Sequence, residues 1–417
     1  MRQSTTVGRL VLAAATGVVL VAAAARAQEW TRFRGPNGTG HGTGQAIPVQ
    51  WTKEDYNWKV KLPGGGHGSP VLWGRKVFLL CCDQRTAGRV VVCVSAADGS
   101  IAWRRPYHTS PFRMNSLNSY AGSTPAVDKD RVYVCWTSRK EFLVVALDHG
   151  GKEIWRRDLG PHESQHGPCT SPVVFEDLVI VQNDQQGDSF LLAVDSATGK
   201  TRWKLPRKSG RAAYGTPCIF RPKGKAPQLI LTSTASGVTS VNPATGTVNW
   251  QRADTFSQRC VGSPATGADL VFASCGTGSR GIRFVAVRPP SAGKPAEIAY
   301  DLKRHSPYVP TPLVKGDLLF LISDTGTLTC LRASTGEQLW QQRSGVGGGF
   351  YSSPVCVGDR IYFISRKGEV LVVAAAEKYK LLARNSLGEM CYTTPAIAGG
   401  KMYIRTYRHL VCLGGGK

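Results

Sequence analysis

A chain of 417 residues with 47 Gly, 24 Pro, 10 Trp and a net charge of +24 suits many short strands and tight turns rather than long helices. Its length admits two or three ordinary domains or one large repeat fold. The charge favours anionic partners over cationic ones, but no run of Lys or Arg forms a nucleic-acid arm, so nucleic acid is not an expected partner.

Taken in chain order, Arg2 and Arg9 introduce an apolar run, Leu10 to Ala25, that ends at the small-x-small site Ala25-Arg26-Ala27. This pattern predicts a signal peptide over residues 1–27, too short for a membrane span of roughly 20 apolar residues. No Cys follows the run, so no lipid anchor is expected. The mature chain should be soluble and exported, periplasmic or extracellular, peripheral to a membrane at most, and monomeric. The leader carries three of the positive charges (Arg2, Arg9, Arg26), which leaves +21. A lead segment, 28–56, precedes the first predicted strand.

From residue 57 onward one unit repeats. A Ser/Thr-Pro pair opens an apolar strand eight times, at Pro70, Pro125, Pro172, Pro217, Pro264, Pro312, Pro354 and Pro395. After each proline strand come a polar turn, a richer second strand such as Arg360-Ile361-Tyr362-Phe363-Ile364, a third strand, an Ala/Ser-Thr-Gly turn and a fourth strand ending on a large ring. Four strands in 40 to 50 residues make one blade of a β-propeller. Trp103, Trp155, Trp203, Trp250 and Trp340 hold the ring position and should dock on the neighbouring blade. Tyr300 replaces Trp in the fifth blade and Leu382 or Ala383 in the seventh, where looser packing is expected. The eighth unit lacks a fourth strand, whereas Asn57 to Leu62, with Trp58 in the ring position, is a fourth strand without a unit. The expectation is an all-β, eight-bladed propeller of four-stranded blades over 57–415. The N-terminal strand should complete the last blade and so hide two open edges.

The segment Ala193-Val194-Asp195-Ser196-Ala197-Thr198-Gly199-Lys200-Thr201-Arg202-Trp203 resembles the tryptophan-docking repeat of PQQ-like (pyrroloquinoline-quinone repeat) propellers. That superfamily includes quinoprotein dehydrogenases and BamB, a subunit of the outer-membrane β-barrel assembly machinery. Trp30-Thr31-Arg32-Phe33-Arg34-Gly35-Pro36-Asn37-Gly38, the stretch from Leu147 to Pro161, and Ser164-Gln165-His166-Gly167 are similar to BamB-like exported bacterial proteins. The resemblance implies the propeller over nearly all of residues 28–415 and a scaffold role in the cell envelope, such as outer-membrane protein assembly.

His162-Glu163-Ser164-Gln165-His166 spells the zincin pattern, but it lies in a Gly/Pro-flanked link between blades, and two His need a helix to share a face; a loop His lining the funnel is expected instead. Cys81 and Cys82 are adjacent, and the resemblance to quinoprotein dehydrogenases would allow a vicinal disulfide over PQQ held by Ca²⁺. Against it, Val77 to Cys82 reads as a strand and no ligand set for Ca²⁺ stands out. Three residues before each proline lie His67, Gly122, Cys169, Tyr214, Val261, Val309, Tyr351 and Tyr392, which should face the central channel. His67, Tyr120, His166, Tyr214, Arg259, Tyr308, Tyr351 and Tyr392 are the candidate funnel residues for gripping a ligand or partner; channel filling alone would also explain the rings. The glycine runs Gly64-Gly65-Gly66-His67-Gly68 and Gly345-Val346-Gly347-Gly348-Gly349 open no helix and should serve close turns rather than a phosphate. The leading expectation is a non-catalytic envelope propeller, with no catalytic residue, metal or cofactor, that binds an envelope protein or an anionic polymer. The alternatives are a PQQ-dependent dehydrogenase-like quinoprotein and a polysaccharide-binding module.

Overall fold

In the computed structural model, residues 29–44, 47–167, 169–291 and 293–415 are described; the expected signal peptide lies outside them. Eight sheets, each built on four antiparallel strands, surround the axis, and in the first seven the inner strand comes first in the chain and the outer strand last. Blade 1 runs Val71–Trp73, Lys76–Cys82, Arg89–Ser95, Ile101–Tyr107, and blades 2 to 7 repeat this order. Blade 8 combines Ala396–Ala398, Lys401–Arg405 and His409–Gly414 with Tyr56–Lys61 as its outer strand. That pairing, Trp58 opposite Cys412 and Lys61 opposite His409, closes the ring.

At the axis, the Ser or Thr before each repeat proline links one blade to the next. Its hydroxyl accepts the backbone N–H of the equivalent residue in the preceding blade. Ser69 N–H donates to Thr124 at 2.9 Å, Thr124 to Ser171 at 3.0 Å, Thr216 to Ser263 at 2.9 Å and Ser263 to Thr311 at 3.1 Å. Thr311 donates to Ser353 at 2.9 Å, Ser353 to Thr394 at 3.0 Å, and Thr394 back to Ser69 at 3.0 Å. The proline that follows brings no N–H to the inner edge, where the ladder would leave it unpaired.

Between the blades lie layers of apolar side chains. One joins blades 1 and 2 through Phe78, Val91, Val134 and Val145, and another joins blades 5 and 6 through Phe272, Phe284, Leu319 and Leu331. At the rim the large ring of one blade lies on the turn glycine of the next. A Cβ on Gly151 would sit 2.8 Å from Trp103, and one on Gly199 2.8 Å from Trp155. These glycines have φ of +89° and +72°, a region that costs other residues strain. The indole N–H groups donate to the same turns, Trp103 to the His149 carbonyl at 3.0 Å and Trp155 to that of Ser196 at 2.9 Å.

Tyr300 packs no more loosely than a tryptophan: its ring covers Gly336 and its hydroxyl donates to the Ala333 carbonyl at 2.7 Å. Two rings depart from this pattern: Trp340 donates to the Ala376 carbonyl at 3.0 Å over a turn without glycine, and Trp250 donates to Gln228 of its own blade at 2.9 Å. The next blade offers it a longer Pro289-Pro290 loop in place of a Thr-Gly turn. In blade 7 the register puts Ala383 at the ring position. The blade that follows has no third-to-fourth turn to receive a ring, and Trp51 of the lead segment packs there against Tyr362 (centroids 6.3 Å apart).

The lead segment is structural. Glu29–Trp30 adds a fifth strand inside blade 1, and His41–Gly42 adds one inside blade 7. Between them the chain crosses the axis. Asn37 bonds the Ile219 N–H and carbonyl, each at 2.7 Å, as a strand would. Arg32 reaches the Pro217 carbonyl, Arg34 the Pro354 carbonyl at 3.3 Å, and His41 the Val314 carbonyl at 2.6 Å. One mouth of the channel is thereby closed.

The axial ring makes a direct prediction. Thr311→Val keeps the shape but removes the acceptor for the buried Ser263 amide, so stability should fall by about 1–2 kcal/mol. Denaturant melts of wild type and variant would measure the loss.

Candidate functional site

The open mouth is where the inner strands begin. Eight loops approach the axis there, and the residues three before each proline all reach the wall: His67, Gly122, Cys169, Tyr214, Val261, Val309, Tyr351 and Tyr392. Below them stand the hydroxyls of the axial ring, and Phe33 of the lead segment forms the floor. The result is a blind cup of about 270 Å³.

One side of the cup is aromatic. His67 and Tyr392 stack with centroids 4.4 Å apart and planes 17° apart, and Tyr351 lies 5.9 Å from Tyr392. The Tyr351 hydroxyl meets Ser279 Oγ at 3.0 Å, and the Arg366 guanidinium sits 4.8 Å from the Tyr351 ring centre. Glycines let these groups close in: Gly65 packs on the ring of Tyr407, and a Cβ on Gly68 would fall 2.1 Å from the Ser123 carbonyl. Burial, with the charge of Arg405 nearby, lowers the pKa of His67 to about 3, so it lines the cup as a neutral ring.

His166 and Tyr214 line the cup as neighbours, and burial with Arg259 nearby lowers the pKa of His166. Tyr308 lines it too. Arg259 stands behind the wall, buried, donating to the Tyr308 hydroxyl at 3.3 Å and to Gln165 Oε1 at 2.5 Å. Tyr120 is no part of the funnel. Its hydroxyl bonds the Phe112 amide and carbonyl, at 3.1 and 2.6 Å, and Arg89 lies against its ring, so it pins the 108–122 loop from beneath. That loop sends Asn115, Leu117 and Asn118 to the rim.

His162 and His166 do not converge. His162 is buried against Phe142, with Nδ1 3.1 Å from Asn183 Oδ1, and burial lowers its pKa to about 4. The vicinal disulfide is likewise not formed, and both thiols are free. Cys81 and Cys82 are successive residues of one strand and point to opposite faces. Cys81 joins the apolar layer toward blade 8, 3.5 Å from Arg405 Nη2, and Cys82 joins the layer toward blade 2.

The cup's donors do not suit a Ca²⁺-held quinone, since Ca²⁺ takes six to eight oxygens, carboxylates above all. Among the described residues no three His, Cys, Asp or Glu side chains gather as a metal site. Asp324, behind Tyr308 and Val309, is buried and accepts their amides at 2.7 and 3.2 Å. Burial raises its pKa to about 7.

Sequence reasoning missed Phe33, Ser279 and the ring hydroxyls. The Ser/Thr-Pro repeat carried the last of these in plain view, but as punctuation rather than as a wall.

The buried histidines set an acid response. Between 6.5 and their folded values of about 3 and 4, the unfolded chain takes up protons that the folded chain refuses, so this contribution to stability is lost as pH falls. The double variant H67Q/H162Q should therefore lose less thermal stability than wild type on acidification from about pH 7 to 4. Melting temperatures measured across that range would check it.

The model of one family, outer membrane protein assembly factor BamB, matches residues 86–342 and 325–413. No curated protein sequence matches. Among solved structures, BamB from Moraxella catarrhalis superposes with a TM-score of 0.61 at 16% identity, covering 86% of this chain and 97% of that one. A quinohemoprotein alcohol dehydrogenase from Comamonas testosteroni gives 0.65 at 12% identity, covering 94% and 81%. The computationally designed Ika8 protein gives 0.59 at 12%, covering 85% and 98%. At these identities the likeness is one of fold.

Proposed function

The chain belongs to the family of the outer membrane protein assembly factor BamB, and from that premise we propose that it is an exported, non-catalytic propeller that holds a protein partner at its cup as a scaffold of the cell envelope. A part in outer-membrane protein assembly falls within this reading. The observation that carries it is the make-up of the cup. Its walls are tyrosines, Ser/Thr hydroxyls and a neutral histidine over a phenylalanine floor. Such a surface recognises by stacking and hydrogen bonding. Asp324, the buried carboxylate behind Tyr308 and Val309, is taken up by their amides and does not line the cup. The loops that form it stand on a rigid ring, a usual arrangement for recognition.

The test is a photo-crosslinking amino acid at Tyr351, compared with one at Lys223 on the far face, in the envelope of the native host. One polypeptide should crosslink through Tyr351 and not through Lys223, and Y351A/Y392A should abolish its capture by the purified chain. Saturable, Ca²⁺-dependent binding of pyrroloquinoline quinone to the purified protein would overturn the reading in favour of a quinoprotein.

A further inference from the structure

The outer strands are the blades' exposed edges, and their charge is not spread evenly around the ring. In blades 8, 1, 2 and 3 (Tyr56–Lys61, Ile101–Tyr107, Glu153–Asp158, Thr201–Arg207) they hold nine Lys or Arg against two carboxylates. In blades 4, 5 and 6 (Val248–Arg252, Glu297–Leu302, Gln338–Arg343) the count is two against two. The contrast is sharpest at one register position, the residue after the docking ring. It is Lys59, Arg104, Arg156 and Lys204 in the first group, all exposed, and Gln251, Asp301 and Gln341 in the second. In blade 7 the equivalent Arg384 turns to the Ser344 carbonyl at 2.7 Å, next to the covering segment Val49–Trp51. Of the first group's cations Arg207 is buried in an ion pair with Asp184, Arg202 pairs with Asp177 and Asp195, Arg156 with Glu153, Arg157 holds the Gly199 carbonyl and Lys204 lies over the Phe190 ring, whereas Lys59, Lys61 and Arg104 have no acidic partner among the described residues.

Cations on an edge strand ordinarily guard it against pairing with another sheet. That duty falls equally on all eight blades, so it does not explain a cluster on four neighbours. We propose that the rim of blades 8, 1, 2 and 3 is a binding belt for a flexible linear polyanion, an anionic polysaccharide. The curvature argues for a chain. Successive cations lie around about half of a convex circumference, where a flat anionic bilayer would touch only one or two blades. A bending polymer can follow all four, and its repeated charges engage the repeated cations by multivalency. The docking rings beside the belt lie flat on turn glycines and offer no free face for stacking nucleobases. The belt is distinct from the cup, and it rests on the proposed function only in placing the chain among envelope polymers.

The experiment uses the full chain with alginate as the probe, at two salt concentrations. K59Q/R104Q/R156Q/K204Q is compared with K129Q/K200Q/K223Q/K294Q, which removes the same charge from exposed turns on the far face. Equal melting temperatures would establish that both variants are folded. Alginate affinity should fall about ten-fold or more in the belt variant and stay within about two-fold in the control, and the belt variant should also lose most of the salt dependence. Equal losses in both variants, no binding by wild type, or belt-dependent binding at least as tight to phosphatidylglycerol vesicles or single-stranded DNA would each overturn the proposal. Because Tyr351 crosslinking is read separately, failure of the belt is distinguishable from failure of the scaffold reading.

Discussion

A hydroxyl accepting a backbone amide from the neighbouring blade, repeated around the axis, is the contact from which the rest of this architecture is set out. Seven of the eight junctions carry it among the described residues. Each bond contributes only about 1 kcal/mol, less than the apolar layer between two blades, where a single buried Phe or Leu is worth about 1.5–3 kcal/mol. Its importance is geometric. Apolar layers resist separation but tolerate sliding, whereas a hydrogen bond at a fixed radius pins the blades' relative height. The docking rings of most blades do the same at the rim, with a hydrogen bond to a turn carbonyl and a left-handed turn that glycine adopts without strain. A blade held at both ends is left with little freedom of angle.

Eight strands ending at an axis raise a second problem, because their inner edges have no further strand to pair with. The lead segment answers it with whatever polar group lies in reach: two short strands, one asparagine amide, one histidine and the guanidinium groups of Arg32 and Arg34. Neither arginine contacts a carboxylate among the described residues; burial lowers their pKa to about 10 and about 9, so both remain charged at neutral pH and their hydration is replaced by carbonyl dipoles. Arg405 is held the same way by the Gly68 and Leu80 carbonyls, each at 2.8 Å. Cations suit this task because an inner edge that already uses proline presents more acceptors than donors. Covering the edges also turns a channel into a cup, so the shape of the candidate site follows from a demand of folding.

This explains which parts were legible in the sequence. The blade count, the strand order and the closing strand rest on local patterns that recur, and a pattern seen eight times is hard to mistake. The residues facing the cup were legible for the same reason, since a fixed offset from the proline fixes a fixed direction. What depends on contacts between distant segments was not legible. Phe33 reaches the cup only because the lead segment crosses the axis, and nothing local to it says so. Tyr120 looked like a funnel residue, but its hydroxyl is taken up by Phe112 and its ring is buried against Arg89. The pair Cys81-Cys82 looked like redox chemistry when taken as two neighbouring letters; strand alternation separates them into different layers. Tyr300 looked like a weak tryptophan until its hydroxyl was seen to make the bond an indole would make.

The same repeat separates architecture from function within a single chain. At the position before the proline only Ser and Thr occur, because any other side chain would leave a neighbour's amide unpaired. Two residues earlier the eight blades offer His, Gly, Cys, Tyr, Val, Val, Tyr and Tyr, and one residue past the docking ring they offer cations in one half of the circle and Gln or Asp in most of the other. Neither of these positions supplies the hydroxyl ring or the docking contact that recurs from blade to blade, so the repeat itself does not dictate them. Their variation is also patterned in space: three aromatic residues of the cup, Tyr351, Tyr392 and His67, come from consecutive blades 7, 8 and 1, and the cations of the rim from blades 8 to 3. Symmetric stability would be served by any eight similar residues. A clustered departure from symmetry at a position free of structural duty requires another cause, and contact with something outside the chain supplies one.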